Sequence, residues 1–245
     1  ASADLISQGR VQLGVSRGSP EAAVDGQAAF GMDKQPGETW GEVARSRTER
    51  FRQAVSGTPM ARSQRAGALG GPADLQVEPQ SPGLNERIWW GAGTVATGEW
   101  AADKGYHLLS STLMLGDDGR PFDVQQAEQL MRYRERYAAS GRTTGGRAAV
   151  TRPVFPITDE TDRRYFGTSD EQGDGRGILD NSKAVSGPTI AGPPERVAER
   201  LAADAAVTEA DYVLFAGLTP VAVVEAKRPR ERIAGRIDQA ERYAR

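Results

Sequence analysis

Two sets of side chains in this 245-residue chain have types and spacings that chemistry can use. The first is Arg17, Thr94 and Thr97. Arg17 follows a short apolar run and is flanked by Gly14 and Gly18, which let backbone come close to a ligand. Thr94 and Thr97 lie in a turn that opens a helix, where free N–H groups and the positive end of the helix dipole favour an anion. A guanidinium and two hydroxyls meeting there would hold a phosphate. The competing explanation is that a threonine merely caps the helix and Arg17 pairs with a nearby acid. The second set is Asp211, Glu225, Lys227, Gln239 and Tyr243. Asp211 opens one apolar run and Glu225 closes the next, so a hairpin would bring both carboxylates to one end, where they suit Mg²⁺. Glu225 and Lys227 share one strand face, and Lys227 there would orient or activate a water beside the metal. Gln239 and Tyr243 are spaced to share one helical face. A solvent-facing ion pair between Glu225 and Lys227 is the competing explanation. The basic run Lys227, Arg228, Arg230 and Arg232 suits DNA phosphates, and a solvated helix start accounts for it equally well.

Lysine is scarce in this chain. Of 31 basic residues only Lys34, Lys104, Lys183 and Lys227 are lysine, so a lysine two positions after a glutamate is less of an accident. Arginine cannot replace its compact, tunable ammonium. The net charge of −2 provides no global field for bulk nucleic-acid binding. Without cysteine, disulfides, thiolate metal sites and cysteine nucleophiles are excluded. No apolar run approaches the roughly 20 residues that span a bilayer. No charged-then-apolar leader opens the chain, so the expectation is a cytoplasmic protein without a membrane partner.

These residues need elements to position them. Apolar runs predict strands over 10–15, 87–90, 107–110, 148–155 and 212–215. Helical spacing predicts helices over 39–55, 97–104, 123–139, 158–166 and 194–203, with Asp123 and Thr158 as N-caps and Gly105 and Gly141 at C-terminal stops. Residues 56–86 read as a long loop. Residues 167–193 read as a polar, glycine-rich lid or insertion. Strands alternating with helices imply parallel βα units. The expected fold is therefore α/β, a partial TIM-type (β/α) barrel with roughly five of the eight βα units. The pattern then changes. Residues 212–215, Gly217-Leu218-Thr219-Pro220 and 221–226 predict a hairpin, and a helix over 231–243 follows.

Residues 1–210 resemble the luciferase-like, flavin-dependent monooxygenase family. The resemblance is carried by Asp4-Leu5-Ile6-Ser7-Gln8-Gly9-Arg10-Val11-Gln12-Leu13-Gly14-Val15-Ser16-Arg17-Gly18, by the stretch from Arg87-Ile88-Trp89-Trp90 through Thr94-Val95-Ala96-Thr97 to Ala102, by Arg152-Pro153-Val154-Phe155-Pro156-Ile157-Thr158, and by Gly192-Pro193-Pro194-Glu195-Arg196 with its helix. It implies a flavin cofactor, FMN or a deazaflavin, with Arg17, Thr94 and Thr97 at the phosphate-contacting positions. It also implies an oxidoreductase or monooxygenase using reduced flavin and O₂ on a small organic substrate. The family's first three strands, which carry much of the substrate pocket and in several members a catalytic histidine, would precede Ala1. The expectation is therefore either a working flavoprotein or a truncated or fused form left inactive for want of those strands. An incomplete barrel leaves strand edges unpaired, which invites a homo-oligomer. His107 does not match the catalytic position and is expected to be structural. Core packing is likewise expected for Trp89, Trp90 and Trp100.

Residues 211–245 resemble a different family, the endonuclease core of type I restriction enzyme motor subunits, of the PD-(D/E)xK superfamily. Asp211-Tyr212-Val213-Leu214-Phe215, Pro220-Val221-Ala222-Val223-Val224-Glu225-Ala226-Lys227 and Gln239-Ala240-Glu241-Arg242-Tyr243 carry it. It implies Asp211 and Glu225 as Mg²⁺ ligands, Lys227 as the catalytic residue, Gln239 and Tyr243 as its Gln-x-x-x-Tyr element, and DNA as the partner. The two resemblances meet near Ala210-Asp211. A fused gene, a damaged gene or an assembly artefact would each produce such a join.

Overall fold

Side-chain bonds to backbone set many of the element boundaries. The structure is a computed structural model that describes residues 1–18, 26–29, 31–63, 73–142, 145–167, 173–179, 181–216 and 224–225. It divides into two units, Ala1–Trp89 and Trp90–Arg245.

The first unit holds α1 (Ser2–Ile6), β1 (Leu13–Val15), α2 (Gly26–Ala29), α3 (Trp40–Val55), β2 (Ala61–Ser63), β3 (Ala73–Leu75), a 3₁₀ turn (Leu84–Glu86) and the opening of β4 (Ile88–Ala92). Asp4 organises it. This buried carboxylate accepts the Val11 N–H at 3.0 Å, the Ser81 hydroxyl at 2.7 Å and the Arg87 guanidinium. The Ser81 bond foremost holds its carboxyl below the usual range, against the opposing effect of burial. Because Asp4 takes the Val11 N–H and Arg87 takes the Val11 C=O, the strand expected from residue 10 begins only at Leu13. Leu13 N–H then donates to Arg87 C=O at 2.9 Å, and β1 lies beside β4. Thr39 opens α3 with a capping box, its hydroxyl accepting from Glu42 N–H while Glu42 accepts from Thr39 N–H. The expected loop over 56–86 instead contains an antiparallel ribbon, with Ala61 opposite Leu75 and Ser63 opposite Ala73. Both its strands are largely exposed, so no apolar alternation marks them in the sequence.

The second unit continues β4 and adds α4 (Val95–Lys104), β5 (His107–Ser110), β6 (Leu113–Leu115), α5 (Phe122–Ala139), β7 (Ala148–Pro156), α6 (Glu160–Phe166), β8 (Gly175–Leu179), β9 (Ser182–Ser186), β10 (Ile190–Gly192), α7 (Pro194–Ala203), α8 (Ala205–Glu209), β11 (Tyr212–Ala216) and β12 (Val224–Glu225). Its sheet runs β4-β5-β7-β11-β12, with β10 also on β7. β5, β10 and β11 are all parallel to β7. The apolar start of β7, Ala148-Ala149-Val150, is buried as a parallel strand between neighbours should be. Leu130, Tyr133 and Tyr137 of α5 are buried with it. The fold is α/β of the partial TIM-type (β/α) barrel kind, as expected.

Several boundaries differ from expectation, for identifiable reasons. α4 begins at Val95 because Thr94 is its cap. α5 has Pro121 at its N-cap position, because the Asp123 carboxylate is turned to the Ala205 N–H at 3.1 Å. α6 is capped by Asp159, whose side chain accepts from Asp162 N–H, while Thr158 donates to the Asp162 carboxylate. Described parts of the expected lid over 167–193 form β8, β9 and β10. β8 and β9 join the unforeseen β6 in an antiparallel sheet of order β6-β9-β8, over a core of Met114, Phe122 and Val185. Gly187 permits that packing, since a Cβ there would stand 2.6 Å from the Phe122 ring. The hairpin begins as expected, β12 running antiparallel to β11 with Tyr212 opposite Glu225 and Val213 opposite Val224. Its turn and the helix expected over 231–243 lie outside the described residues. Among the described residues no helix is long and apolar enough to cross a membrane.

Candidate functional site

The turn between β4 and α4 is built with its acceptors turned inward. Ala92 C=O accepts from Ser111 N–H at 3.3 Å, Gly93 C=O from Leu115 N–H at 2.7 Å, and Thr94 C=O from Gly98 N–H at 3.1 Å. Gln129, fully buried on α5, bridges both ends of the turn. Its Nε2 donates to Thr94 C=O at 2.8 Å and Ala92 C=O at 3.3 Å, while its Oε1 accepts from the buried Ser110 hydroxyl. Gly98 makes room for it, since a Cβ there would stand 3.3 Å from Gln129 Cγ. With three successive carbonyls engaged from within, the start of α4 presents N–H and hydroxyl groups. Thr94 Oγ1 accepts from Thr97 N–H at 3.1 Å and donates to Thr97 Oγ1 at 2.8 Å, and both threonines are half-buried. The nearest carboxylate on the helix, Glu99, is held by Arg132 at 2.9 Å. Donors, a helix dipole and a neutralised acid make this corner fit a phosphate.

Arg17 stands in the first unit, exposed and just past the C-terminal end of β1, as Thr94 stands just past the end of β4 in the second. The backbone turns at Gly18, with φ of 84°, and Ser16 Oγ accepts the Gly18 N–H at 3.1 Å. The structure thus brings Thr94 and Thr97 together, and Arg17 belongs to the other unit.

Of the second set, Asp211 lies at the start of β11. Its Oδ2 accepts from Ala148 N–H at 2.8 Å, and Arg134 Nη2 is 3.2 Å from its Oδ1. Glu225 sits one register step away, opposite Tyr212. Lys227, Gln239 and Tyr243 lie outside the described residues. Among the described residues no group of three His, Cys, Asp or Glu could hold a metal ion.

His107 is buried, and its Nδ1 accepts the Arg147 N–H at 3.2 Å. Burial, and then the Arg147 charge, push its pKa down to about 4, so it is neutral at physiological pH and serves the fold, as expected. Trp90 packs edge-on against Trp100 with ring centroids 4.7 Å apart, and Trp89 donates its indole N–H to Gln12 at 2.8 Å. Sequence reasoning missed Gln129, Arg134 and the buried bidentate pair of Arg152 with Asp204, at 2.7 and 2.8 Å. One signal was present for Gln129. Gln125, Gln126 and Gln129 interrupt the inward stripe of α5, where polar amides need bonding partners.

Residues 194–245 match the family model of the second domain of the type I restriction enzyme EcoKI endonuclease subunit. That match opens with α7, ahead of the join expected near Asp211. No curated protein sequence matches the chain. Among solved structures, the fold is similar to that of apo-MsnO8, at 17% identity and a TM-score of 0.55 over 87% of this chain and 64% of that one. Weaker likenesses are to the monooxygenase RslO1 from Streptomyces bottropensis (18% identity, TM-score 0.46, 86% of this chain and 56% of that one) and to the oxygenating constituent of 3,6-diketocamphane monooxygenase from Pseudomonas putida, a type II Baeyer-Villiger monooxygenase in complex with FMN (15% identity, TM-score 0.44, 69% of this chain and 48% of that one). The chain spans 48% to 64% of the length of these structures.

Proposed function

We propose that the chain is a flavin-binding oxidoreductase of the luciferase-like, flavin-dependent monooxygenase type. The phosphate of FMN or a deazaflavin is seated at the start of α4. The observation that carries this reading is the β4–α4 turn, whose carbonyls are engaged from within and whose threonine hydroxyls lie 2.8 Å apart at a helix N-terminus. Thr94 and Thr97 bind and orient the phosphate. Gln129 and Ser110 keep the turn in place. When bound, reduced flavin supplies the electrons for reaction of O₂ with a small organic substrate. Fluorescence titration with FMN and with riboflavin tests the phosphate seat. Tighter binding of FMN is expected, with the preference weakened about tenfold by Thr97→Val, the loss of one charge-assisted hydrogen bond. Equal affinity of the unaltered protein for FMN and riboflavin would refute it.

A second reading, Mg²⁺-dependent DNA cleavage, is favoured by the family match over residues 194–245 and by the antiparallel register of β11 and β12. As the motif implies it, this reading assigns catalysis to Lys227, the metal to Asp211 and Glu225, and the Gln-x-x-x-Tyr element to Gln239 and Tyr243. Nicking of supercoiled DNA that requires Mg²⁺ and disappears in Lys227→Ala would support it, and no cleavage at any Mg²⁺ concentration would defeat it.

A further inference from the structure

We infer that Asp211 is a strand latch that completes the parallel sheet, and that the metal-ligand role implied by its spacing from Glu225 does not fit it. Asp211 and Ala148 form a closed pair. Asp211 N–H donates to Ala148 C=O at 2.8 Å, and Ala148 N–H donates back to Asp211 Oδ2 at 2.8 Å. The carboxylate therefore does the work of a backbone carbonyl, one step before the first strand pair, Tyr212 with Ala149. Ala148 is fully buried, so its N–H has no water to turn to. The second oxygen faces Arg134 of α5 at 3.2 Å, and the same Nη2 donates to Glu209 C=O at 2.6 Å. One side chain thus fastens the end of α8 and the start of β11 to α5.

This arrangement opposes a divalent cation. Mg²⁺ requires carboxylate oxygens it can approach to about 2.0–2.1 Å in a near-octahedral shell. Here one oxygen is committed to an amide and the other to a guanidinium, whose positive charge stands where the ion's charge would act. Two further aspartates fasten the same stretch. Asp204 grips the buried Arg152 with both oxygens and caps α8, and Asp123 accepts the Ala205 N–H. Residues 204–216, inside the segment that matches the endonuclease-subunit domain, are therefore built into the second unit, α8 against α5 and β11 within its sheet. DNA cleavage by this chain would have to draw its metal ligands from elsewhere.

The test compares the full chain with Asp211→Ala, Asp211→Asn and Arg134→Met. Asp211→Ala is expected to lower the thermal midpoint by about 4–8 °C, the loss of an acceptor to a buried N–H in a domain of this size. Amide exchange at Ala148 should rise with it. Asp211→Asn, which keeps an acceptor oxygen, should fall between. Millimolar Mg²⁺ or Mn²⁺ should leave every midpoint unmoved, and electron paramagnetic resonance should detect no bound Mn²⁺. Bound Mn²⁺ that is lost in Asp211→Asn, or strengthened in Arg134→Met by removal of the competing cation, would overturn the inference. So would an unchanged midpoint in Asp211→Ala.

Discussion

Replacing Gln129 by leucine asks whether one buried amide holds the β4–α4 turn, the proposed phosphate seat. The side chains are close in volume, so the change opens little cavity and acts through hydrogen bonds. Three are lost, to the Thr94 carbonyl, the Ala92 carbonyl and the Ser110 hydroxyl. The two carbonyls keep one partner each, Gly98 N–H and Ser111 N–H. The fully buried Ser110 hydroxyl loses the acceptor that Gln129 supplied. At a net value of about 1 kcal/mol per bond the variant should be destabilised by about 3 kcal/mol, a fall in thermal midpoint of about 6–12 °C. Gln129→Glu preserves shape even better but points an acceptor-only carboxylate at two carbonyl oxygens. It should therefore be at least as damaging as leucine, the reverse of what packing alone would produce. Urea denaturation measures both, and FMN and riboflavin titrations of the folded variants read the site. FMN affinity should fall while riboflavin affinity holds. A glutamate variant as stable as the unaltered protein, or a leucine variant losing less than about 0.5 kcal/mol, would refute the reasoning.

Two further outcomes follow from buried charge. The His107 pKa of about 4 lies below its unfolded value near 6.5, so between these values the unfolded chain binds the extra proton. Stability is full above about pH 6.5 and falls toward pH 4 by about 3 kcal/mol. Denaturation of His107→Gln across the same range should show a correspondingly shallower loss. Asp204→Ala strands the Arg152 guanidinium, whose side chain is 2% exposed, and should destabilise by about 3–5 kcal/mol. The double variant Arg152→Met/Asp204→Ala should be less destabilised than Asp204→Ala alone, since both lose the α8 cap and only the single variant leaves the guanidinium unpaired, as equilibrium unfolding of both will show.

Local chemistry made much of this architecture legible. The stop at Gly105, the proline opening α7, the apolar run of β7 and the hairpin register around Tyr212 all follow from backbone preferences and periodicity. Strands that bury little, such as β2, β3 and β8, left no such signature, because an exposed ribbon needs no apolar face. Caps were misjudged where a distant partner competed. Asp123 has the right type and place to cap α5, but the Ala205 N–H, far along the chain, takes its carboxylate.

The same division applies to the candidate sites. Residue type and spacing alone marked Thr94 and Thr97 as a pair at a helix start and Asp211 and Glu225 as carboxylates at one end of a hairpin. Both juxtapositions depend only on neighbours in one or two adjoining elements. Which groups those side chains serve was decided by tertiary structure. Gln129 reaches the Thr94 turn from α5 and is itself held by Ser110 of β5, and Arg134 and Ala148 reach Asp211 from α5 and β7. A hydrogen bond or ion pair depends on distance in space, and no local pattern records which remote donor the fold will deliver.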